Sequence, residues 1–296
     1  MKTKKYHILR IMNVYNEEDI IYENLKYYID KGFKTLIIDN FSTDDTYKIC
    51  NRFIKNGVVK IRRIKTDFFD RKLLFKALIR LASEYNPDYL LLADADEFYE
   101  SPVKGEDLYT ALEKEFNKGY NVIQFHNIEF WMTKKDPKNE KSVLKRMKYY
   151  SYFDSNRFKA FKFIEGADLV KGNGHYPNYP PSFKVKISPK VFISRHYKFR
   201  SLNQAYNKIE RIKPPLYDKT IGFHYLKLKK DPSFFIIDEK LLTKYTEDSN
   251  WCFVRKFDGN RMTLKELADY LGFDSEEKAK RWIRSRDYRE VLKGLK

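Results

Sequence analysis

Hydrophobic positions recur at two different periods along the N-terminal third of the chain, and each change of period marks an element. His7 to Met12 is apolar enough for a strand, and Asn13 to Glu18 follows as a polar loop. Ile20, Ile21, Asn24, Leu25, Tyr28 and Ile29 then recur at helical spacing, with Gly32 where a C-terminal cap belongs. Leu36 to Ile38 predicts a second strand, ending in Asp39. Ser42 is placed to cap a second helix, with Asp44 and Asp45 favourable in its first turn and Thr46, Ile49, Cys50, Phe53 and Ile54 on one face. That helix stops near Gly57, and Val58 to Ile64 predicts a third strand. Leu73 to Ala82 predicts a third helix, Pro87 closes the connection, and Leu90 to Ala93 predicts a fourth strand. Strand and helix alternating in this way predict an α/β fold, a Rossmann-like and mostly parallel sheet flanked by helices.

Beyond Phe98 the pattern changes. Asp107 to Phe116 predicts a helix, and Asn121 to Phe125 a strand that Ile128 to Trp131 prolongs. Residues 134–148 are Lys-rich and predict a solvated loop. Strand-like pieces follow at Arg157 to Phe163 and Phe183 to Ile187, with a tight-turn segment, Gly172 to Pro177, between them. Val191 to Ile193 leads into Arg195-His196-Tyr197, and from Leu202 the pattern is mainly helical. The expected organisation is an N-terminal α/β domain over 1–200 and a helical C-terminal region over 201–296.

The chain has 296 residues, and its 42% of apolar residues support a real core. A net charge of +18 points to an anionic partner. Cys50 and Cys252 form neither a disulfide framework nor a zinc pattern, which suits a reducing cytoplasm. The first residues are too charged for a signal peptide, and no apolar run is long enough to span a bilayer. The fingerprints Gly-x-Gly-x-x-Gly, Gly-x-x-x-x-Gly-Lys-Ser/Thr and Gly-x-Ser-x-Gly are missing, which argues against a dinucleotide enzyme, a P-loop NTPase and an α/β-hydrolase.

The chemistry concentrates where Leu90-Leu91-Leu92-Ala93 runs into Asp94-Ala95-Asp96-Glu97. If the extended geometry continues, Asp94 and Asp96 share one face. Two carboxylates so close suit a hard cation, Mn2+ or Mg2+, held together with substrate phosphates. The end of a buried strand is also where open α/β sheets take their ligands.

Four patterns line up in chain order: Asn13-x-Tyr15-Asn16-Glu17-Glu18, Asp39-Asn40-x-Ser42-Thr43-Asp44-Asp45-Thr46, Asp70-Arg71 with Leu73, and Asp94-Ala95-Asp96-Glu97-Phe98. Together they resemble glycosyltransferase family 2, whose fold is the GT-A type; His196-Tyr197-Lys198-Phe199-Arg200-Ser201 is similar to a stretch of some bacterial members. The resemblance implies an inverting transfer of a sugar from a nucleotide-sugar donor to a glycan or lipid-linked acceptor, in the synthesis of cell-envelope polysaccharide. It implies that Asn13, Tyr15, Asn16 and Glu17 lie beside the base and ribose, with Tyr15 stacking on the base. It further implies that Asp39 accepts a hydrogen bond from a base N–H and that Arg71 reaches the diphosphate. Asp96 is the expected direct metal ligand, Asp94 the contact to ribose or to a metal-bound water, and His196 a third ligand.

The family's Glu-Asp pattern for the general base is not found, and Asp154, Glu165 and Asp168 are the candidates. Glu165 is preferred, because an aromatic run precedes it and Gly166 leaves room for an acceptor; His175 is expected to line the acceptor side. A rival reading is a nucleic-acid-binding protein using a helix-turn-helix-like segment over 262–286, but the positive charge is spread over the whole chain. A sugar-nucleotide pyrophosphorylase is disfavoured because Asn13 to Glu18 stands where its Gly-rich loop belongs. The same charge suits peripheral contact with an anionic membrane at the inner face of the cell membrane.

Overall fold

All four strands expected in the N-terminal third form in the computed structural model, which describes residues 4–66, 70–170, 174–211, 231–246 and 275. They are β1 (Ile8–Val14), β2 (Lys34–Asp39), β3 (Val58–Arg63) and β4 (Tyr89–Leu92). Three helices connect them: α1 (Ile21–Asp30), α2 (Thr46–Asn51) and α3 (Arg71–Ser83). Helix α1 buries Ile21, Asn24, Leu25 and Tyr28, one stripe at helical spacing. It ends where Gly32, at φ +85°, lets the Gly32 and Phe33 N–H groups return to Ile29 O and Tyr28 O. Ser42 does not cap α2 as expected; its hydroxyl accepts from the Asn16 N–H, and Asp45 occupies the cap position.

β1 pairs in parallel with β2 on one side and β4 on the other, and β2 pairs in parallel with β3. The alternation of strand side chains splits the core into two layers. Leu9, Ile11, Leu90 and Leu92 pack with Leu74, Phe75 and Leu78 of α3. Ile8, Tyr89 and Leu91 pack with Tyr28 of α1 and with Leu108, Leu112 and Phe116 of α4 (Leu108–Asn117).

The sheet continues with strands that the periodicity predicts only in part. These are β5 (Glu97–Glu100), β6 (Val122–Trp131), β7 (Tyr149–Lys162) and β8 (Phe192–His196). Their order is β3-β2-β1-β4-β7-β6-β8-β5. β7 runs antiparallel to β4, with Tyr89 opposite Lys162 and Leu91 opposite Ala160. β5 runs antiparallel to β8, with Glu97 opposite His196. Two expectations need correction. Phe183 to Ile187 makes only one bridge, Ile187 to Val122, and the expected loop over 134–148 contains a short helix α5 (Val143–Arg146), capped by Ser142.

The chain divides into two compact units, one of Met1–Ile128 with Phe153–His196, the other including Glu129–Tyr152 and Tyr197–Ser249. In the second unit Phe130 stacks on Tyr197 with centroids 4.5 Å apart, and the Trp131 indole N–H donates to Ser151 Oγ at 2.9 Å. That unit also holds α6 (Leu202–Arg211) and a two-residue strand β9 (Thr243–Lys244) that pairs with β7. The helix-turn-helix-like segment over 262–286, and Cys252, lie outside the described residues.

Candidate active site

The C-terminal ends of β1, β2 and β4 lie along one edge of the first unit. Strand order turns back at β1, so Asn13 at its end sits beside Asp39 on one flank and the Asp94 turn on the other. In open α/β sheets that reversal opens a crevice for ligands.

The loops after β1 and β2 are tied together. Asn16, at φ 54°, accepts the Thr43 N–H on Oδ1 at 2.8 Å, and its own N–H donates to Ser42 Oγ at 3.1 Å. The Glu17 N–H donates to Thr46 Oγ1 at 2.7 Å, and Glu18 Oε2 accepts the Asp45 N–H at 2.8 Å. Asn16 and Glu17 thus fasten one loop to the other. Asn13 Oδ1 is buried without a hydrogen-bond partner among the described residues, at the end of β1. Tyr15 is half-buried in the same loop.

Asp39 is fully buried. Its carboxylate accepts the Ser42 N–H at 3.1 Å and pairs with Arg63 Nε at 2.8 Å. Arg63 also donates through Nη2 to Ser42 O at 3.1 Å, and its guanidinium lies 4.4 Å from the Phe41 ring and 4.5 Å from that of Tyr47. Closed to solvent in this way, Asp39 faces the loop edge through Arg63.

β4 stops at Leu92, and the carboxylates stand on a turn closed by Glu97 N–H to Asp94 O at 3.1 Å. The extended geometry on which a shared face depended therefore does not continue past Leu92. The turn is held from below by buried groups. Arg10 Nη2 donates to Ala93 O at 3.2 Å, and Asn24 Nδ2 to Glu97 O at 3.1 Å. Burial lowers the Arg10 guanidinium to about 10, which leaves it charged at neutral pH. Glu97 is the hub: it accepts the Asp94 N–H at 3.2 Å and the Tyr99 hydroxyl at 2.5 Å, and meets Arg157 at 2.8 Å and Lys159 at 3.4 Å. Burial alone would raise its carboxyl, but Lys159 and Arg157 outweigh that and hold it well below the usual range.

Asp94 has a side chain 34% exposed, with Lys159 Nζ 3.9 Å away. Asp96 is nearly closed to solvent, and its Oδ2 lies 3.6 Å from His196 Nε2, which β8 delivers by pairing with β5. Carboxylate and imidazole are a fitting donor pair for Mn2+. Among the described residues no three His, Cys, Asp or Glu side chains gather into a metal site.

Arg71 begins α3 with its guanidinium 5.3 Å from the Phe75 ring, after Asp70 caps the helix through the Leu73 N–H. His175 follows Gly174, which sits at φ +74° so close to Phe75 that an added Cβ would fall 2.3 Å from the ring. The His175 carbonyl accepts the Phe158 N–H at 2.7 Å. Its Nδ1 is buried without a partner, and burial, with Arg157, Lys159 and Arg71 nearby, pushes the imidazole down to about 3.

Glu165 does not join this group. β7 carries the chain away from the site, so Lys162 lies beside Tyr89 at the start of β4, and the Phe163 N–H bonds Asp88 O. Glu165 is exposed beyond that end. The four residues of β4, at about 3.3 Å each, put it more than roughly 10 Å from the Asp94 turn. Asp168 lies in the same connection and accepts the Val170 N–H at 2.7 Å. The Asp154 side chain lies outside the described residues. Sequence reasoning missed Arg10, Asn24, Arg63, Glu97, Arg157 and Lys159. Glu97 stood in plain view beside the two aspartates; the rest gave no local signal, because long-range pairing alone makes them neighbours.

The family model described as Glycosyl transferase family 2 matches residues 11–175, more than half of the chain, and the chain belongs to that family. The chain is also similar to S. aureus TarS 1-349 in complex with UDP-GlcNAc, at 13% identity and a TM-score of 0.38, covering 97% of this chain and 90% of that one. To the same protein in complex with UDP the figures are 15%, 0.37, and 77% of each chain. A further likeness, 26% identity to the glycine–tRNA ligase beta subunit of Persephonella marina, covers 40% of this chain. This chain spans only 18% of that subunit. At these levels none of the three speaks to the substrate.

Proposed function

We propose that this chain transfers a sugar from a nucleoside-diphosphate sugar to a glycan or lipid-linked acceptor, with a divalent cation held at Asp96 and His196. The observation that carries this reading is the approach of those two buried ligands, 3.6 Å apart, at the carboxyl edge of the parallel strands. Diphosphate oxygens and water would complete the coordination. When bound, the cation supplies charge stabilisation to the leaving diphosphate. Asp94, the more exposed carboxylate, takes the ribose or a metal-bound water. Arg71 at the head of α3 attracts the diphosphate, and Asn13 Oδ1 and Tyr15 serve the base and ribose. His175, kept neutral among cations, takes an acceptor hydroxyl as a hydrogen-bond partner rather than as a proton sink. Inversion needs a carboxylate near that hydroxyl. The β7 register favours Asp154 over Glu165, because β7 runs antiparallel to β4 and Asp154 precedes Ala160, the partner of Leu91, whereas Glu165 follows it. The surplus of positive charge suits an acceptor in envelope polysaccharide synthesis, presented at the cytoplasmic face of an anionic membrane.

The test is calorimetric titration of nucleoside diphosphates, with Mn2+ and with EDTA. Binding should be at least tenfold tighter with Mn2+, and Asp96→Ala should lose that difference while melting as the wild type does. Equal affinity in EDTA would remove the metal from the reading.

A further inference from the structure

Arg10 lies in β1 with none of its surface exposed, a cation sealed against the sheet. Its Nη2 donates to Asn24 Oδ1 and, at 3.2 Å, to Ala93 O, the carbonyl just before Asp94. Asn24 extends the grip: its Nδ2 donates to Asp94 O at 3.4 Å and to Glu97 O at 3.1 Å. The Tyr28 ring lies 4.0 Å from the guanidinium. Nε and Nη1 are buried without a hydrogen-bond partner, and among the described residues no carboxylate pairs with Arg10. Burial lowers it only to about 10, so the charge is present at neutral pH. A buried charge is costly unless it is paired. On the same edge Asp39 has Arg63 for a counter-ion, and Glu97 has Arg157 and Lys159. Arg10 has carbonyl dipoles and a ring instead, on the inner side of the turn that carries Asp94 and Asp96.

We propose that Arg10 is a positioning residue whose uncompensated charge, fixed beneath the Asp94 turn, strengthens the hold on the donor's diphosphate. The proposal rests on the nucleotide-sugar reading above and extends it to a residue that touches no ligand. A fixed charge in a low-dielectric interior acts at a distance and needs no reorganisation when an anion arrives. A counter-ion inside the fold would cancel that field before it reached the crevice. The same side chain orients the turn, directly at Ala93 O and through Asn24 at the Asp94 and Glu97 carbonyls.

Thr35 allows the charge to be tested with Arg10 left in place. It stands opposite Arg10 in the β1–β2 register, on the same face of the sheet, and is fully buried with no partner for its Oγ1. Thr35→Asp sets a carboxylate beside the guanidinium, and Thr35→Asn is the neutral change of the same size. Dissociation constants of UDP, GDP and ADP with Mn2+ are measured by calorimetry for the wild type and both variants, together with thermal melting. Thr35→Asp should weaken whichever nucleotide binds by about fivefold or more, yet melt no lower than Thr35→Asn, because the buried cation has gained a partner. Thr35→Asn should bind within about twofold of the wild type. Affinity and stability then move apart, which loss of packing does not produce. Equal affinity in the two variants would overturn the proposal. If Thr35→Asp does not fold, Arg10→Lys and Arg10→Gln pose the same question: Arg10→Lys should keep the affinity and Arg10→Gln lose it, and an equal loss in both would make Arg10 a packing residue only. A wild type that binds none of the three nucleotides would instead strike down the nucleotide-sugar reading itself, and the role of Arg10 with it.

Discussion

His175 shows how a single side chain inherits its behaviour from neighbours distant in sequence. Arg157 and Lys159 come from β7 and Arg71 from α3, while Glu97 favours protonation. Burial and the three cations push the folded imidazole down to about 3, whereas the unfolded one titrates near 6.5. Between those values the unfolded chain binds the extra proton. This contribution to stability is therefore complete above pH 6.5 and is lost progressively as pH falls toward 3. Glu97 works in a lower window: its depressed carboxyl gives stability that is lost only below the ordinary carboxylate range. Urea unfolding between pH 7 and pH 5 thus separates the histidine from Glu97. His175→Asn should flatten the stability decline seen in the wild type over that range; parallel curves for the two proteins would show that His175 is not held neutral.

At the scale of elements, the direction of β7 bears on the proposed choice of general base. Because β7 is antiparallel to β4, residues after Ala160 recede from the Asp94 turn and residues before it approach. Glu165→Gln should retain transfer within about twofold, whereas Asp154→Asn should lose about 100-fold or more in turnover with donor affinity intact, the usual contribution of a general base. Loss of turnover in Glu165→Gln would contradict the register on which the assignment stands. The parallel half of the fold was legible because each of its strands and helices announces itself locally: Gly32 stops α1, Asp70 caps α3, and apolar runs end at Asp39 and Asp94. The antiparallel half was not, since β5 is four residues long and its partner β8 lies nearly a hundred residues later, a pairing that no periodicity encodes. The same limit hid the supports of the site. Asp94, Asp96 and His196 were readable as residue types, but only β5–β8 pairing brings His196 to Asp96, and only β7 brings Lys159 to Asp94.

At the scale of the molecule, 59 Lys and Arg residues against 41 Asp and Glu leave a charge of +18. Internal pairs account for several cations of the first unit: Arg63 with Asp39, Arg157 and Lys159 with Glu97, and Arg195 with Glu100. Each such pair removes one charge of each sign, so the surplus of +18 stands; a cation near an anionic bilayer contributes on the order of 1 kcal/mol and is screened over about 10 Å at 0.1 M salt. No helix among the described residues is long and apolar enough to cross a membrane; attachment through this charge would weaken as salt rises. Co-sedimentation with vesicles rich in anionic lipid should be strong at low ionic strength, fade by about 0.5 M salt, and be missing with neutral vesicles. A DNA-binding protein would behave differently: random duplex would bind with a steep salt dependence and compete the protein off the vesicles. If the protein ignores anionic vesicles at every salt concentration, the membrane reading fails. If duplex displaces it from them at physiological salt, the positive surface serves nucleic acid instead.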